Sequence, residues 1–203
     1  MLLREGFTSV SAVVLASGSP RRKELLGLVL PEGTRFQIQT SDFAEDLPMD
    51  TDAADYALRT ATAKGAAVVA ARNNPDELVI SADTVVVRKD KIMEKPTDAA
   101  HAKDMLTKLS GKTHKVITGV ALFHKGRSCG FHACTSVTFS KLSDAAIDDY
   151  VATGDPLDKA GGYGIQGRAG CFVEGIDGCY HNVVGLPINR LARELQVFMA
   201  EEW

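Results

Sequence analysis

Four stretches of this sequence carry side chains suited to chemistry on an anion. The first is residues 15–22, LASGSPRR. A short apolar run feeds a Gly-containing turn, and Ser19-Pro20 then opens a helix. Serine suits the N-cap, and proline suits the first helical position, where its missing N–H costs nothing. Backbone N–H groups and the positive end of the helix dipole face such a turn. Ser17 adds a hydroxyl, and Arg21 and Arg22 add planar forks that match phosphate oxygens. The segment is either an anion cradle or an ordinary helix cap with solvated arginines. The second stretch is residues 79–87, VISADTVVV, where Asp83 interrupts an apolar strand run. An unpaired carboxylate buried there is costly. Asp83 therefore meets a divalent cation or an activated water, or else an ion pair or a strand end at the surface.

The other two stretches supply cations. Ala57, Ala61, Lys64 and Val68 recur at helix spacings of four, three and four, which puts them on one face. Lys64 on that small, apolar face either snorkels to solvent or reaches into a cleft. Lys95, in Met93-Glu-Lys-Pro96, lies in a loop, where lysines serve function or are simply solvated.

These residues need elements to position them. Residues 13–16 read as a strand, and the helix opened by Ser19 runs to about Leu28. Residues 35–39 alternate like a strand. The Ala-rich residues 52–72 read as a long helix ended by Asn73-Asn74-Pro75. Residues 78–87 form a β-branched strand, which Lys89-Asp90 turns back toward Met93. Thr97 caps a helix to Leu109, stopped by Ser110-Gly111. Residues 116–123 and 131–139 read as paired strands around a Lys125-Gly126 turn. Ser143 caps a helix ending at Gly154, a Gly-rich loop and a strand near 171–176 follow, and Pro187 starts the last helix. Mixed strands and helices in this order predict an α/β fold with a mixed sheet.

Composition narrows the class. The chain has 203 residues, of which 45% are hydrophobic and 24% charged; this predicts a globular fold and excludes wholesale disorder. A net charge of −3, with no basic stripe or aromatic platform, argues against a nucleic-acid-binding module. Cys129, Cys134, Cys171 and Cys179 form no CxxC pair and are too scattered for a disulfide scaffold or a structural zinc site; buried free thiols are the expectation. Glu5 and the shortness of the apolar run 12–16 argue against a signal peptide or membrane span, so a cytoplasmic location is expected.

Two motifs are decoys. Residues 162–167, GYGIQG, match GxGxxG but lack the preceding strand, the following helix and the later acidic residue of a dinucleotide site. Gly111-Lys-Thr113 imitates the end of a Walker A loop, but Leu106 stands where its first glycine belongs.

Taken in order, residues 15–22 (LASGSPRR), 81–84 (SADT), 94–96 (EKP), 109–116 (LSGKTHKV), 156–167 (PLDKAGGYGIQG) and 184–187 (VGLP) resemble the motifs of the Maf-like nucleotide pyrophosphatases, over about residues 13–195. The resemblance implies one domain over residues 1–203, with a twisted mixed sheet flanked by helices and two lobes around a deep cleft. It also implies homodimers and hydrolysis of a nucleoside triphosphate between its α- and β-phosphates. It implies that Asp83 accepts a proton from water and shares a ligand role for Mg²⁺ or Mn²⁺, with Glu45 as a second carboxylate. Arg22, Lys64 and Lys95 match positions that hold phosphates, and Ser17 with the turn amides completes the cradle. Arg21, Thr84 and Gln166 match the branch that resembles dTTP/UTP pyrophosphatases; a branch that prefers 7-methyl-GTP carries Trp, Gln and Glu there. A third branch acts on UTP, CTP and modified pyrimidine nucleotides. An amide such as Gln166 both donates and accepts, which suits the O4/N3 edge of uracil or thymine. Ser81 stands where glycine is common, and Gly162 replaces a frequent alanine. The alternative expectation is a catalytically silent nucleotide-binding regulator of cell division, because relatives have been linked to septum control.

Overall fold

The computed structural model describes residues 10–44, 48 and 52–200. Seven strands form one mixed sheet: β1 (Ala12–Ala16), β2 (Phe36–Ile38), β3 (Glu77–Arg88), β4 (Lys91–Met93), β5 (Thr113–His124), β6 (Arg127–Phe139) and β7 (Val173–Asp177). Their order is β2-β1-β3-β5-β6-β7, with β4 paired to β3. Strand β1 pairs in parallel with both β2 and β3, while β3–β4 and β6–β7 are antiparallel. The helices are α1 (Pro20–Val29), α2 (Ala53–Arg72), α3 (Ala99–Leu109), α4 (Asp144–Ala152), α5 (Tyr180–Val184) and α6 (Ile188–Ala200). The mixed α/β expectation is met.

Local chemistry explains most boundaries. Ser19 caps α1 by accepting from the Arg22 N–H, with Pro20 at the first position. Asn73 ends α2 in the left-handed conformation that asparagine tolerates, at φ 48°. The turns at Lys89-Asp90 and Lys125-Gly126 place both central residues at positive φ, as two-residue hairpins of matching twist require. Some boundaries differ from the sequence reading. Asp98, not Thr97, caps α3: its carboxylate accepts the His101 N–H at 2.8 Å, and the Thr97 hydroxyl is engaged with Asp98 and His101 instead. Strand β5 starts at Thr113 and β6 at Arg127, each ahead of its apolar run. Residues 168–172 form a 3-10 turn, so β7 starts at Val173. None of the four cysteines is buried, contrary to expectation; Cys134 and Cys171 are exposed.

The described residues fall into two compact units. One holds the chain up to Asp83, Thr118–Ala133 and the chain from Gly185 on; the other holds Thr84–Ile117 and Cys134–Val184. In the first unit, Val14, Ala16, Val68 and Val79 form a core cluster with Val69 and Phe123 packed against it. Helix α2 lies tight on the strands because the facing residues are small. A Cβ added at Gly119 on β5 would stand 2.5 Å from the carbonyl carbon and oxygen of Ala57. A Cβ at Gly65 would stand 2.2 Å from the Phe123 ring and 2.6 Å from Ser81 Oγ. The Ser81 hydroxyl donates to the Ala61 carbonyl at 2.7 Å, tying α2 to β3. Gly119→Ala is expected to cost about 1–3 kcal/mol, because the atom it meets is backbone and cannot rotate away; a denaturant titration with an unchanged midpoint would contradict this packing.

At the end of α2, the Arg72 guanidinium grips Glu77 and also donates to Gln39 at 2.9 Å and Gln37 at 2.8 Å. The hydrogen bonds from Arg72 outweigh burial and hold the Glu77 carboxyl below the usual carboxylate range. In the second unit, Met105, Leu106 and Leu109 of α3, Ile147 and Tyr150 of α4, and Val137 and Phe139 of β6 share one core with Tyr163 and Phe172.

Candidate functional site

In the first unit, β1 sits between β2 and β3 and is parallel to both. The chain leaves β1 through α1 to reach β2 on one side, then returns through α2 to β3 on the other. That reversal is a topological switch point, and in open α/β sheets ligands collect beyond the carboxyl ends of the strands there. Ala16 pairs in register with Ser81. Ser17 therefore lies just past the carboxyl end of β1, level with the middle of β3, where Asp83 stands two residues beyond Ser81.

Helix α2 delivers a cation to this end. Lys64 Nζ donates to Asp83 Oδ1 at 2.7 Å, and the two side chains are only 10% and 11% exposed. Lys64 does not snorkel: the small residues Ala57, Ala61 and Gly65 bring α2 close enough for its ammonium to reach the β3 carboxylate. The compensation that Asp83 required is thus an ion pair, and its partner is the lysine that the helical face had singled out. Breaking such a pair by deleting one member leaves a buried charge uncompensated.

The turn after β1 is fixed by its own side chains. Ser17 is buried, and its Oγ accepts from the Ser19 N–H at 3.3 Å and from Arg22 Nη1 at 3.1 Å. Arg22 Nε donates to the Gly185 carbonyl at 2.9 Å. Two anchors on one planar group set its orientation before any anion arrives. The Gly185 contact joins residues 184–187 to residues 15–22. It was missed at the sequence level. Arg21 is half-buried on the first turn of α1.

In the second unit, Thr84 continues β3 half-buried, Lys95 is exposed in the loop between β4 and α3, and Gln166 is exposed in a turn between Gly164 and Gly167. Glu45 lies outside the described residues. The sequence reading missed a buried pair in this unit: His114 Nε2 lies 2.7 Å from the Tyr163 hydroxyl, and both rings pack edge-on to Phe139. Burial, with a smaller push from the Arg88 charge, lowers the His114 pKa to about 4 against a weaker opposing hydrogen bond to the Lys112 backbone.

Among the described residues no three His, Cys, Asp or Glu side chains cluster closely enough to hold a metal. Asp83 supplies one carboxylate. That donor set does not fit an all-protein cage, but it fits Mg²⁺ or Mn²⁺, which is commonly held by one or two carboxylates with phosphate oxygens and water. No described helix is long and apolar enough to cross a membrane.

Comparison with known proteins gives relatives along nearly the whole chain. A dTTP/UTP pyrophosphatase of Bacillus cereus is 46% identical over 196 residues, spanning 97% of this chain and 94% of that protein. A dTTP/UTP pyrophosphatase of Bacillus anthracis is 49% identical over 186 residues, or 92% and 95% of the two chains. Among solved structures, the Staphylococcus aureus Ham1 protein aligns with a TM-score of 0.49 at 15% identity, covering 95% of this chain and all of that one; a likeness so distant carries no functional argument. The family model for Maf-like proteins matches residues 12–198, and on that match, together with relatives nearly half identical along almost their whole length, the chain belongs to the Maf-like family.

Proposed function

We propose that this chain is a nucleoside triphosphate pyrophosphatase that hydrolyses dTTP and UTP to the nucleoside monophosphate and pyrophosphate. The observation that carries the reading is the buried Lys64–Asp83 pair beside the Ser17–Arg22 turn, at the carboxyl end of β1 and against the middle of the parallel strand β3. The names of the relatives support the substrate class.

The chemistry follows from the residues. A nucleoside triphosphate brings roughly four negative charges, so hydrolysis needs charge neutralisation, an in-line water and a stabilised leaving group. The α1 N-terminus, the Ser17 hydroxyl and the Arg22 fork receive phosphate oxygens, and Arg22 does so from an orientation already set by Gly185 and Ser17. Lys64 places positive charge against the triphosphate and orients the Asp83 carboxylate. Lys95 adds a cation from its loop. Asp83 takes the proton from the attacking water, and pyrophosphate departs with its charge neutralised by the surrounding cations. A bound Mg²⁺ or Mn²⁺, held by Asp83 with Glu45 as a second ligand, would supply Lewis-acid stabilisation of the phosphate charge.

Arg21, Thr84 and Gln166 are assigned to base choice. Gln166→Glu removes the amide donor and adds a negative charge, so it is expected to lower kcat/KM for UTP at least tenfold more than for 7-methyl-GTP. Equal losses on the two substrates would remove Gln166 from this role. The reaction itself is tested by ³¹P NMR of UTP hydrolysis. UMP and pyrophosphate in equal amounts fit the proposal; UDP and orthophosphate contradict it.

A further inference from the structure

Gln166 is exposed, yet the turn that carries it rests on a partly buried polar scaffold. The turn closes through the Gly167 N–H to the Gly164 carbonyl at 3.1 Å. Below it, the Tyr150 hydroxyl of α4 accepts from the Gly164 N–H at 3.4 Å and donates to Asp155 Oδ2 at 2.9 Å. Lys159 Nζ then grips Asp155 twice, at its carbonyl (2.6 Å) and at Oδ1 (3.0 Å), and reaches Asp158 Oδ1 at 2.6 Å. The Lys159 side chain is 11% exposed, which is unusual for a lysine in a loop. Burial alone would push the Asp155 carboxyl up, but the hydrogen bonds from Lys159 and Tyr150 outweigh it and hold the group ionised.

The scaffold presses directly on the turn. A Cβ added at Gly164 would stand 2.7 Å from Lys159 Cε, and one added at Gly167 would stand 3.3 Å from Asp155 Oδ2. Both glycines that flank Gln166 are therefore seated on the same Lys159–Asp155 pair. On either side the chain is pinned: Tyr163 is buried with its hydroxyl 2.7 Å from His114 Nε2, and Ala169 is fully buried.

We propose that Tyr150, Asp155 and Lys159 are positioning residues for base selectivity, holding the Gly164–Gly167 turn so that Gln166 meets the edge of the base in one orientation. This rests on the function proposed above. Hydrogen-bond readout tolerates only about half an ångström of displacement. A turn that shifts when its scaffold is cut therefore loses discrimination while its binding of phosphate persists.

Tyr150→Phe keeps the packed ring and removes the hydroxyl that links Asp155 to Gly164. It is expected to reduce the ratio of kcat/KM values for UTP over 7-methyl-GTP by about tenfold, with kcat for UTP changed less than about twofold. Amide hydrogen exchange across residues 164–167 should quicken by about tenfold in the same variant. In a Gln166→Ala background the Tyr150→Phe change should cost no further selectivity, because the group being positioned is gone. Lys159→Met provides a second cut through the same scaffold. If the wild-type protein discriminates and folded Tyr150→Phe and Lys159→Met both keep its full ratio, the scaffold role is overturned and the proposed function stands. If the wild-type protein releases no pyrophosphate from UTP, the functional reading has failed and the selectivity role falls with it.

Discussion

Asp83→Asn is expected to slow pyrophosphate release from UTP by about 10²–10⁴-fold, the usual span for removing a positioned general base. Asparagine is the informative replacement. Its Oδ1 preserves an acceptor for Lys64 Nζ, now 2.7 Å from Asp83 Oδ1, whereas alanine would leave a buried ammonium with no counter-charge. The variant still loses stability, because an ion pair becomes a charge–dipole contact, so turnover should be read at a temperature where its circular dichroism matches wild type. UTP should still bind, since Ser17, Arg22 and the α1 N-terminus are untouched. A folded Asp83→Asn protein with undiminished turnover would remove Asp83 from the chemistry.

The second large effect concerns stability rather than rate. His114 is 3% exposed, packed between Phe139 and Tyr163, and burial lowers its pKa from 6.5 to about 4. Below pH 6.5 the unfolded chain takes up a proton at this histidine, and the folded chain resists until about pH 4. The depressed value therefore gives stability that is complete above pH 6.5 and is lost as the pH falls through about 4. A shift of this size is worth about 3 kcal/mol. His114→Phe has nothing to titrate there but leaves the Tyr163 hydroxyl without its partner, so it should be less stable than wild type at pH 7. By pH 4 that gap should narrow by about 3 kcal/mol, measured by urea titration at each pH. A gap that stays constant between pH 7 and pH 4 would show that His114 is not buried in its neutral form.

How much of this was written in the sequence depends on distance along the chain. The Ser19-Pro20 helix start, the α2 face of Ala57, Ala61, Lys64 and Val68, and the two hairpin turns are local, and local rules located them. Asp83 was conspicuous because a charge in an apolar strand has to be compensated. Its partner was not legible, since Lys64 is 19 residues away and only the packing of α2 on β3 brings them together. Gly65 and Gly119 are the residues that permit that approach, yet a glycine in a sequence does not announce which backbone it will face. Arg22 and Gly185 are 163 residues apart, and no spacing rule connects them. The short helix α5 and the 3-10 turns around residues 155–172 carry no apolar period long enough to detect. The His114–Tyr163 pair, 49 residues apart, was hidden for the same reason as the Lys64–Asp83 pair.

The family resemblance reached further than local rules because it compares ordered segments rather than spacings. It singled out residues 15–22 and 184–187 as motifs without pairing them, and the Maf-like match over residues 12–198 agrees with the resemblance. The regulator alternative gains nothing from the relatives, which are named for catalysis.

The most direct test of the central claim is pyrophosphate release by the purified protein from dTTP, UTP, CTP, 7-methyl-GTP and ATP, each with and without Mg²⁺ or Mn²⁺. The account predicts metal-dependent release that is fastest with dTTP or UTP. Absence of pyrophosphate from both by well-folded protein supplied with metal would contradict it.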